Sequence, residues 1–296
     1  MPAMPSEFAL REVFSAAQAC RAGVTSDALA RLVGTGDAYP LIRGWYATRP
    51  PQDQTDWNRL ATRAAFLRMG RRAMASHTSG LIWHGLPTVY AGLARVHLTR
   101  IGPGSSRIRP PVKLHAAIPG LEASDRVPVA HAVIQSGLEY QPLTALAAAD
   151  AALHTGRTSL GELTAALPIF AGHTNVGPVR AILAEADARI ESPGESILGH
   201  RVRSLGWEVE PQFRVETDSG CRFADFRVRG TRLLLEFDGA IKYRGDDGPG
   251  AVFREKRRED SFRRRQWLMA RFVWSELDSI HLIDRRIRTV LQDDAA

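Results

Sequence analysis

Three acids in the segment Arg222 to Asp238, RFADFRVRGTRLLLEFD, carry the most specific chemical pattern of the chain: Asp225, Glu236 and Asp238. Apolar and polar residues alternate on both sides of Gly230-Thr231, and a Gly-X pair between two such runs predicts a hairpin with a two-residue type II′ turn. Folded there, Arg229 pairs with Arg232, Val228 with Leu233, Phe226 with Leu235, and Asp225 with Glu236. Residues directly across an antiparallel pair have Cβ atoms roughly 4.5–5.5 Å apart. Asp238, two residues past Glu236, projects from the same face. The other face is Ala224, Phe226, Val228, Leu233, Leu235 and Phe237, an apolar surface fit for a core.

Like charges directly opposite destabilise a sheet, and a cation between them removes the penalty. Carboxylate oxygens suit hard Mg²⁺ (or Mn²⁺), which borrows further oxygens from water and substrate phosphate. Such an ion polarises a scissile phosphate and lowers the pKa of bound water. Taken alone, the hairpin leaves a second reading open: a solvated strand surface whose acids are balanced by Arg227 and Arg232.

The elements around the hairpin are those that can position it. Upstream, ESPGESILGHRVRSLG reads as a helix that starts near Ser192-Pro193, ends at Gly206 and offers Glu195 and Arg203 on its polar face. WEVEPQFRVE reads as a first strand; after the hairpin come Lys242-Tyr243, a Gly-rich loop, a charged helix over about 251–266, an apolar strand over 267–274 and a last helix. Helix, three strands, helix, strand, helix is an α/β order with the acids on the second and third strands.

In this combination, over about 188 to 280, the chain resembles the PD-(D/E)XK nuclease superfamily, especially the branch akin to very-short-patch repair endonucleases. The resemblance rests on Glu195 in ESPGES, Asp225 in FADF, Glu236 and Asp238 in LLLEFDG, Tyr243 in KY, and the runs EKRREDSFRRRQW and VWSEL. It implies a metal held by Asp225 and Glu236, with Glu195 and Asp238 in support. One departure matters: the superfamily's usual Lys, two residues after the acid, is Asp238 here, as it commonly is in that branch. Lys242 and Lys256 are the lysines near enough in sequence to replace it, and Lys242 is preferred.

From Arg254 to Arg265, seven basic residues stand among three acids. The Lys256/Asp260, Glu259/Arg263 and Asp260/Arg264 spacings suit a salt-laced solvated helix. Arg257 and the consecutive Arg263, Arg264 and Arg265 suit sequence-blind contact with a phosphate backbone.

The N-terminal segment reads as a winged helix-turn-helix. Ser15 and Gln18 form a capping-box pattern, Gly23 ends a first helix, Thr25 or Ser26 caps a second, and Leu41-Ile42 and Trp45-Tyr46-Ala47 flank Arg43-Gly44 as a hairpin. Arg31 on the second helix and Arg43 at the wing tip are the candidate DNA contacts; a packing module without DNA is the alternative. The stretch FSAAQACRAGVTSDALARLVGTGDAYPLIRGWYATRP resembles the N-terminal domain of AbiEi-family antitoxins, with weaker likeness through SHTSGLIWHGLP and VHLTR. That resemblance implies promoter DNA and a cognate toxin protein as partners, and carries over no toxin-binding residue.

Between these parts, His77, His84, His97 and His115 are seven, thirteen and eighteen residues apart. None is the i, i+4 pair that puts two imidazoles on one helix face, so the spacing predicts separate core or surface histidines.

The 296 residues carry 39 Lys and Arg against 32 Asp and Glu, a net charge of +7, with 44% hydrophobic residues. These values exclude collagen-like, largely disordered and disulfide-framework classes. Only Lys113, Lys242 and Lys256 are lysines, so the Arg skew can reflect genome composition as well as a nucleic-acid partner. From residue 188 onward 21 basic residues face 19 acidic ones, which leaves +2 there and +5 in the first 187; the segregation of charge is thus more informative than its sum. The start of the chain carries Glu7 and Glu12 where an export signal needs a basic and then an apolar run, no apolar stretch is long enough to span a bilayer, and Cys20 and Cys221 suit a reducing compartment. The expectation is a cytoplasmic protein with no membrane association. Its fold class is α/β, with a restriction-endonuclease-like mixed sheet flanked by helices at the C-terminus, preceded by a winged helix-turn-helix and an α+β middle region. The expected domains are 1–50, 51–187 and 188–296.

Overall fold

The computed structural model describes residues 8, 11–70, 72–217, 220–239 and 266–293. The chain divides into two units, residues 1–148 with 157–184 and residues 149–156 with 185–296.

In the first unit β1 (Val13–Ser15) runs directly into α1 (Ala16–Arg21). Ser15 Oγ accepts the Gln18 amide and Gln18 Oε1 accepts the Ser15 amide, so the capping box forms as its residues dictate. Gly23 turns the chain at φ +82°, and Thr25 caps α2 (Ser26–Thr35), which buries Leu29 and Leu32 and ends on left-handed Gly36. β2 (Tyr39–Ile42) and β3 (Trp45–Ala47) then form the wing, and β1 adds to the far edge of β3 to give the antiparallel order β1-β3-β2. This is a winged helix-turn-helix. Its first strand has three residues, too few for alternation to declare itself.

α3 (Gln54–Met69) begins at Asp53, whose carboxylate accepts the Asp56 amide. The buried face of α3 carries Ala61, Ala64 and Ala65 beside Leu60, Asn58 and Thr62, and these small residues let two sheets approach it: Leu60, Ala61, Ala64 and Ala65 share a core with Val13, Leu41 and Ala47 and with Ala73, Val96, Leu98 and Leu114. The second of these sheets contains β4 (Ala73–Ala75), β5 (Val96–Arg100), β6 (Arg107–Arg109) and β7 (Val112–His115) in the order β4-β5-β7-β6. The β5–β7 pair is parallel, with His97 beside Lys113 and Thr99 beside His115. α4 (His77–Trp83) leaves β4 through a single residue and packs on β5 and on α5 (Val129–Glu139). Gly137 in α5 has its place for a steric reason: a Cβ there would lie 2.7 Å from that of Ala145. α6 (Pro142–His154) crosses from the first unit into the second, and α7 (Leu160–Ala166) and α8 (Val176–Leu183) complete the first.

The second unit holds α9 (Pro193–Ser204), β8 (Val209–Thr217), β9 (Gly220–Val228), β10 (Leu233–Phe237), β11 (Leu268–Phe272) and α10 (Ile280–Asp293). The sheet order is β11-β10-β9-β8, antiparallel except for β10–β11. A parallel neighbour needs a crossover connection, here residues 238–267. The charged helix expected over 251–266 falls almost wholly outside the described residues. α9 starts where the sequence requires, with Ser192 accepting the Glu195 amide and Pro193 in the first turn. It lies close on the sheet because two of its residues lack a Cβ: one at Gly194 would sit 2.0 Å from the Phe237 ring, and one at Gly199 2.9 Å from that of Phe226. The result is a mixed sheet flanked by helices, a restriction-endonuclease-like arrangement. Among the described residues no helix is long and apolar enough to cross a membrane.

Candidate functional site

The hairpin register places Phe226 beside Leu235 and Arg227 beside Leu234. Continued by one residue, it opposes Asp225 to Glu236. The turn differs from the expected type II′: the Thr231 amide donates to the Val228 carbonyl, so Gly230, at φ +75°, is the third residue of the turn rather than the second. Thr231 Oγ1 also donates to Val228 and accepts from the Leu233 amide, which pins the register from within the turn.

Asp225 is half-buried and accepts the Phe237 amide at 2.7 Å. Glu236 is only 7% exposed and stands in register with Arg271 of β11, a cation that the sequence reading did not single out. Its signal is the polar slot in LMARF. The Asp238 amide donates to the Phe272 carbonyl at 2.8 Å and extends the ladder. Arg227 lies over the Phe213 and Trp267 rings.

Glu195 corrects the sequence reading, which set it on the polar face of its helix. It is 6% exposed, and its Oε2 accepts the Glu191 amide at 3.0 Å and the Gln212 side-chain amide at 3.3 Å. Beside it in sequence, Ser196 bonds a further buried acid that the sequence did not suggest: Asp150 of α6, 2% exposed. Burial pushes the Asp150 carboxyl up to about 7, against the Ser196 hydroxyl and the Asp187 amide, which pull it down.

A second constellation occupies the first unit. His77, His97, His115 and Glu139 each turn a ligand atom inward, all within 4.8 Å of one another. The strands bring two of them together: His115 follows Lys113, the register partner of His97, by two residues and so shares its face. The β4–α4 junction brings His77, and the C-terminal end of α5 brings Glu139. The rings of His77 and His115 stack at 3.7 Å. His97 Nδ1 lies 2.9 Å from His115 Nε2 and its Nε2 lies 3.0 Å from the Tyr140 hydroxyl, while Lys113 Nζ donates to both Glu139 oxygens at 2.8 and 2.7 Å. Burial, reinforced by the neighbouring His115 and the cationic Lys113 and Arg95, pushes His97 down to about 3. Burial with Lys113, His173 and Arg95 does the same to His115, and burial holds His77 well below its usual range. The imidazoles are therefore neutral, the form that ligates metal, and the four residues can hold a divalent ion. The expectation of separate histidines is overturned for three of the four. His84 stands apart, its Nε2 on the Val127 carbonyl.

In the N-terminal module, Arg31 and Arg43 are exposed. Lys242, Arg257, Arg263, Arg264 and Arg265 lie outside the described residues. No family model matches the chain, and no curated protein matches it.

Proposed function

We propose that the chain is a Mg²⁺- (or Mn²⁺-) dependent deoxyribonuclease that docks on DNA through its winged helix-turn-helix and hydrolyses a phosphodiester bond at the β9–β10 hairpin. A single observation carries this reading: the register that sets Phe226 beside Leu235, continued by one residue, opposes Asp225 to Glu236. The donor chemistry fits a hard cation, since Asp225, Glu236, Asp238 and Glu195 are all oxygen ligands and Glu236 and Glu195 are withdrawn from water. Asp225 and Glu236 would hold the ion, with Asp238 and Glu195 in support, and when bound it supplies the charge that polarises the phosphate and acidifies water.

The chain's own contribution is orientation. The Phe237 amide fixes Asp225, and Gln212 with the Glu191 amide fixes Glu195. Trp274 packs edge-on against Phe237, with ring centroids 5.1 Å apart, and steadies the end of β10. Arg271 brings a permanent positive charge beside Glu236, on the strand whose end bears Asp238 in place of the usual Lys. Lys242 is the proposed catalytic cation, and Arg257, Arg263, Arg264 and Arg265 join Arg31 and Arg43 as proposed phosphate contacts.

Asp238 at the lysine position, with Asp225 already engaged by a backbone amide, also favours a second reading: a DNA-binding regulator of antitoxin type, with a toxin partner and a nuclease fold that no longer cuts. Cleavage of duplex and single-stranded DNA in Mg²⁺ and Mn²⁺ separates the two. Cutting that is lost in Asp225→Ala and Glu236→Ala is the expected result; cutting that survives both overturns the site. A wild type that cuts none of these substrates favours the regulator, whose DNA binding then disappears when residues 1–50 are deleted.

A further inference from the structure

We propose that His77, His97, His115 and Glu139 form a closed structural site for a Zn²⁺-class transition metal, which ties the β4–α4 junction, β5, β7 and the end of α5 together. The inference does not rest on the nuclease reading, because the cluster and the hairpin belong to different units.

Metal bonds of about 2.0–2.2 Å put the ligand atoms of a tetrahedral shell roughly 3.3–3.6 Å apart. The four ligand atoms here lie within 4.8 Å of one another, and His97 Nδ1 and His115 Nε2 at 2.9 Å. The hydrogen-bond network around His97 also selects its tautomer. The Tyr140 hydroxyl donates to the Gly92 carbonyl at 2.7 Å, and a carbonyl can only accept. The Tyr140 oxygen must therefore accept from His97 Nε2–H, so the His97 Nδ1 lone pair is aimed into the cluster, where it accepts His115 Nε2–H in the metal-free chain. An imidazole whose outer N–H is anchored on a polar group, so that its inner nitrogen is bare, is how proteins orient a metal-binding histidine. Lys113, on the face of the sheet that bears His97 and His115, fixes Glu139 by donating to both of its carboxylate oxygens.

His77 supplies an independent sign. It has φ +50°, a strained conformation for a residue with a Cβ, and it has it at a buried junction where that strain turns a ring onto His97 and His115. Strain of this kind gathers at ligand sites. Ligation requires the His77 ring to leave its stack on His115, since parallel rings cannot point lone pairs at one ion. The donor set of three imidazoles and one carboxylate selects Zn²⁺ or Co²⁺ over Mg²⁺, and four protein ligands describe a structural site rather than a catalytic one with an open position.

The test uses the full chain and Co²⁺ as a spectroscopic substitute for Zn²⁺. His77 and His97 lie deep in the core, so the ligand variants are His115→Gln and Glu139→Gln at its half-buried edge, each checked for native circular dichroism. Wild type is expected to bind Co²⁺ with visible d–d absorption, to be bleached by Zn²⁺ but not by excess Mg²⁺, and to gain Tm on Zn²⁺ addition. Each variant should weaken binding by at least about tenfold, a loss seen even for outer-shell changes, and Tyr140→Phe by roughly 10–100-fold. Asp225→Ala and Glu236→Ala should leave the spectrum in place. A wild type without the Co²⁺ spectrum overturns the proposal. So does a spectrum that Mg²⁺ bleaches, or one that survives both ligand variants or disappears with the hairpin acids.

Discussion

The hairpin acids and the histidine cluster divide the candidate chemistry of this molecule, and they are built on opposite plans. Asp225 and Glu236 come from neighbouring antiparallel strands, eleven residues apart in sequence, with Arg271 in register on the next strand. They present charged oxygen where charge must be balanced by a cation. The cluster gathers neutral nitrogen from elements spread between His77 and Glu139, and His97 is fully buried in it. A site made of charges suits a hard ion that keeps its water and exchanges it with substrate. A site made of neutral imidazoles in a core suits an ion that stays. The difference is one of hardness, and under the two proposals it divides the work: the acids toward a substrate, the imidazoles toward the fold.

The sharpest way to break this comparison is to cross the variants and the readouts. Asp225→Ala or Glu236→Ala should lower Mg²⁺-dependent cutting by about two orders of magnitude or more, beyond the 10–100-fold typical of outer-shell changes, and spare the Co²⁺ spectrum. His115→Gln and Glu139→Gln should abolish that spectrum and the Zn²⁺-dependent gain in Tm. Should cutting follow the histidines and ignore the acids, the division of labour is reversed.

How legible each site is in the sequence follows from its construction. A hairpin is a local pairing, and period two with one Gly fixes the register of Phe226 on Leu235 without knowledge of anything distant. Its turn was misread by one position because Gly-X alternation specifies where the strands reverse but not which residue needs the positive φ; Thr231, bonding back to Val228, decides that. Glu195 looked solvated because helix periodicity reports faces, not depth, and Gly194 and Gly199 let α9 sink onto the sheet. The cluster could not be read from spacing at all. It depends on the parallel β5–β7 pairing, on a one-residue junction at Ser76 and on where α5 ends, and none of these is a property of any window of sequence. The i, i+4 rule is a rule about one helix, and here no two of the ligands share a helix.

The two units should also answer pH with opposite signs in metal-free protein. Asp150 has its folded pKa raised to about 7 above an unfolded value near 3.9. The stability it allows is complete below the unfolded value and is lost as pH rises through about 7. His97 and His115 have folded values lowered to about 3, so the stability of the first unit is present above about 6.5 and falls as the unfolded chain takes up protons below it. Hydrogen exchange, corrected for intrinsic rates, should show the β9 amides losing protection as pH rises from about 4 to about 7 and the β5 amides losing it as pH falls below about 6.5. Asp150→Asn keeps an acceptor for the Asp187 amide and removes the charge. It should flatten the loss that accompanies a rise in pH from about 4 to about 7, worth at most about 4 kcal/mol from roughly three pKa units, and leave the first unit's loss at falling pH unchanged. If Asp150→Asn instead removes the acid loss, the burial of Asp150 is not what governs the second unit.

The smallest perturbation is one methyl in each unit. Gly194→Ala drives a Cβ into the Phe237 ring, 2.0 Å away, and that ring cannot swing clear because Trp274 meets it edge-on. Gly137→Ala drives one to 2.7 Å from Ala145 Cβ and 3.1 Å from Val179 Cγ2, two residues before Glu139. Each is overpacking, and each should cost about 1–3 kcal/mol, read by denaturant midpoint. The instructive outcome is where the functional loss falls. Gly194→Ala should shift α9 and the end of β10, hence Glu195 and the Phe237 amide that holds Asp225, and slow cutting while Co²⁺ affinity holds. Gly137→Ala should move the end of α5 and weaken Co²⁺ binding, by more than its effect on stability alone predicts. Equal losses of stability with exchanged functional losses are what two independently organised sites require. If either methyl impairs both functions alike, the sites share one structural framework and their separation by hardness fails.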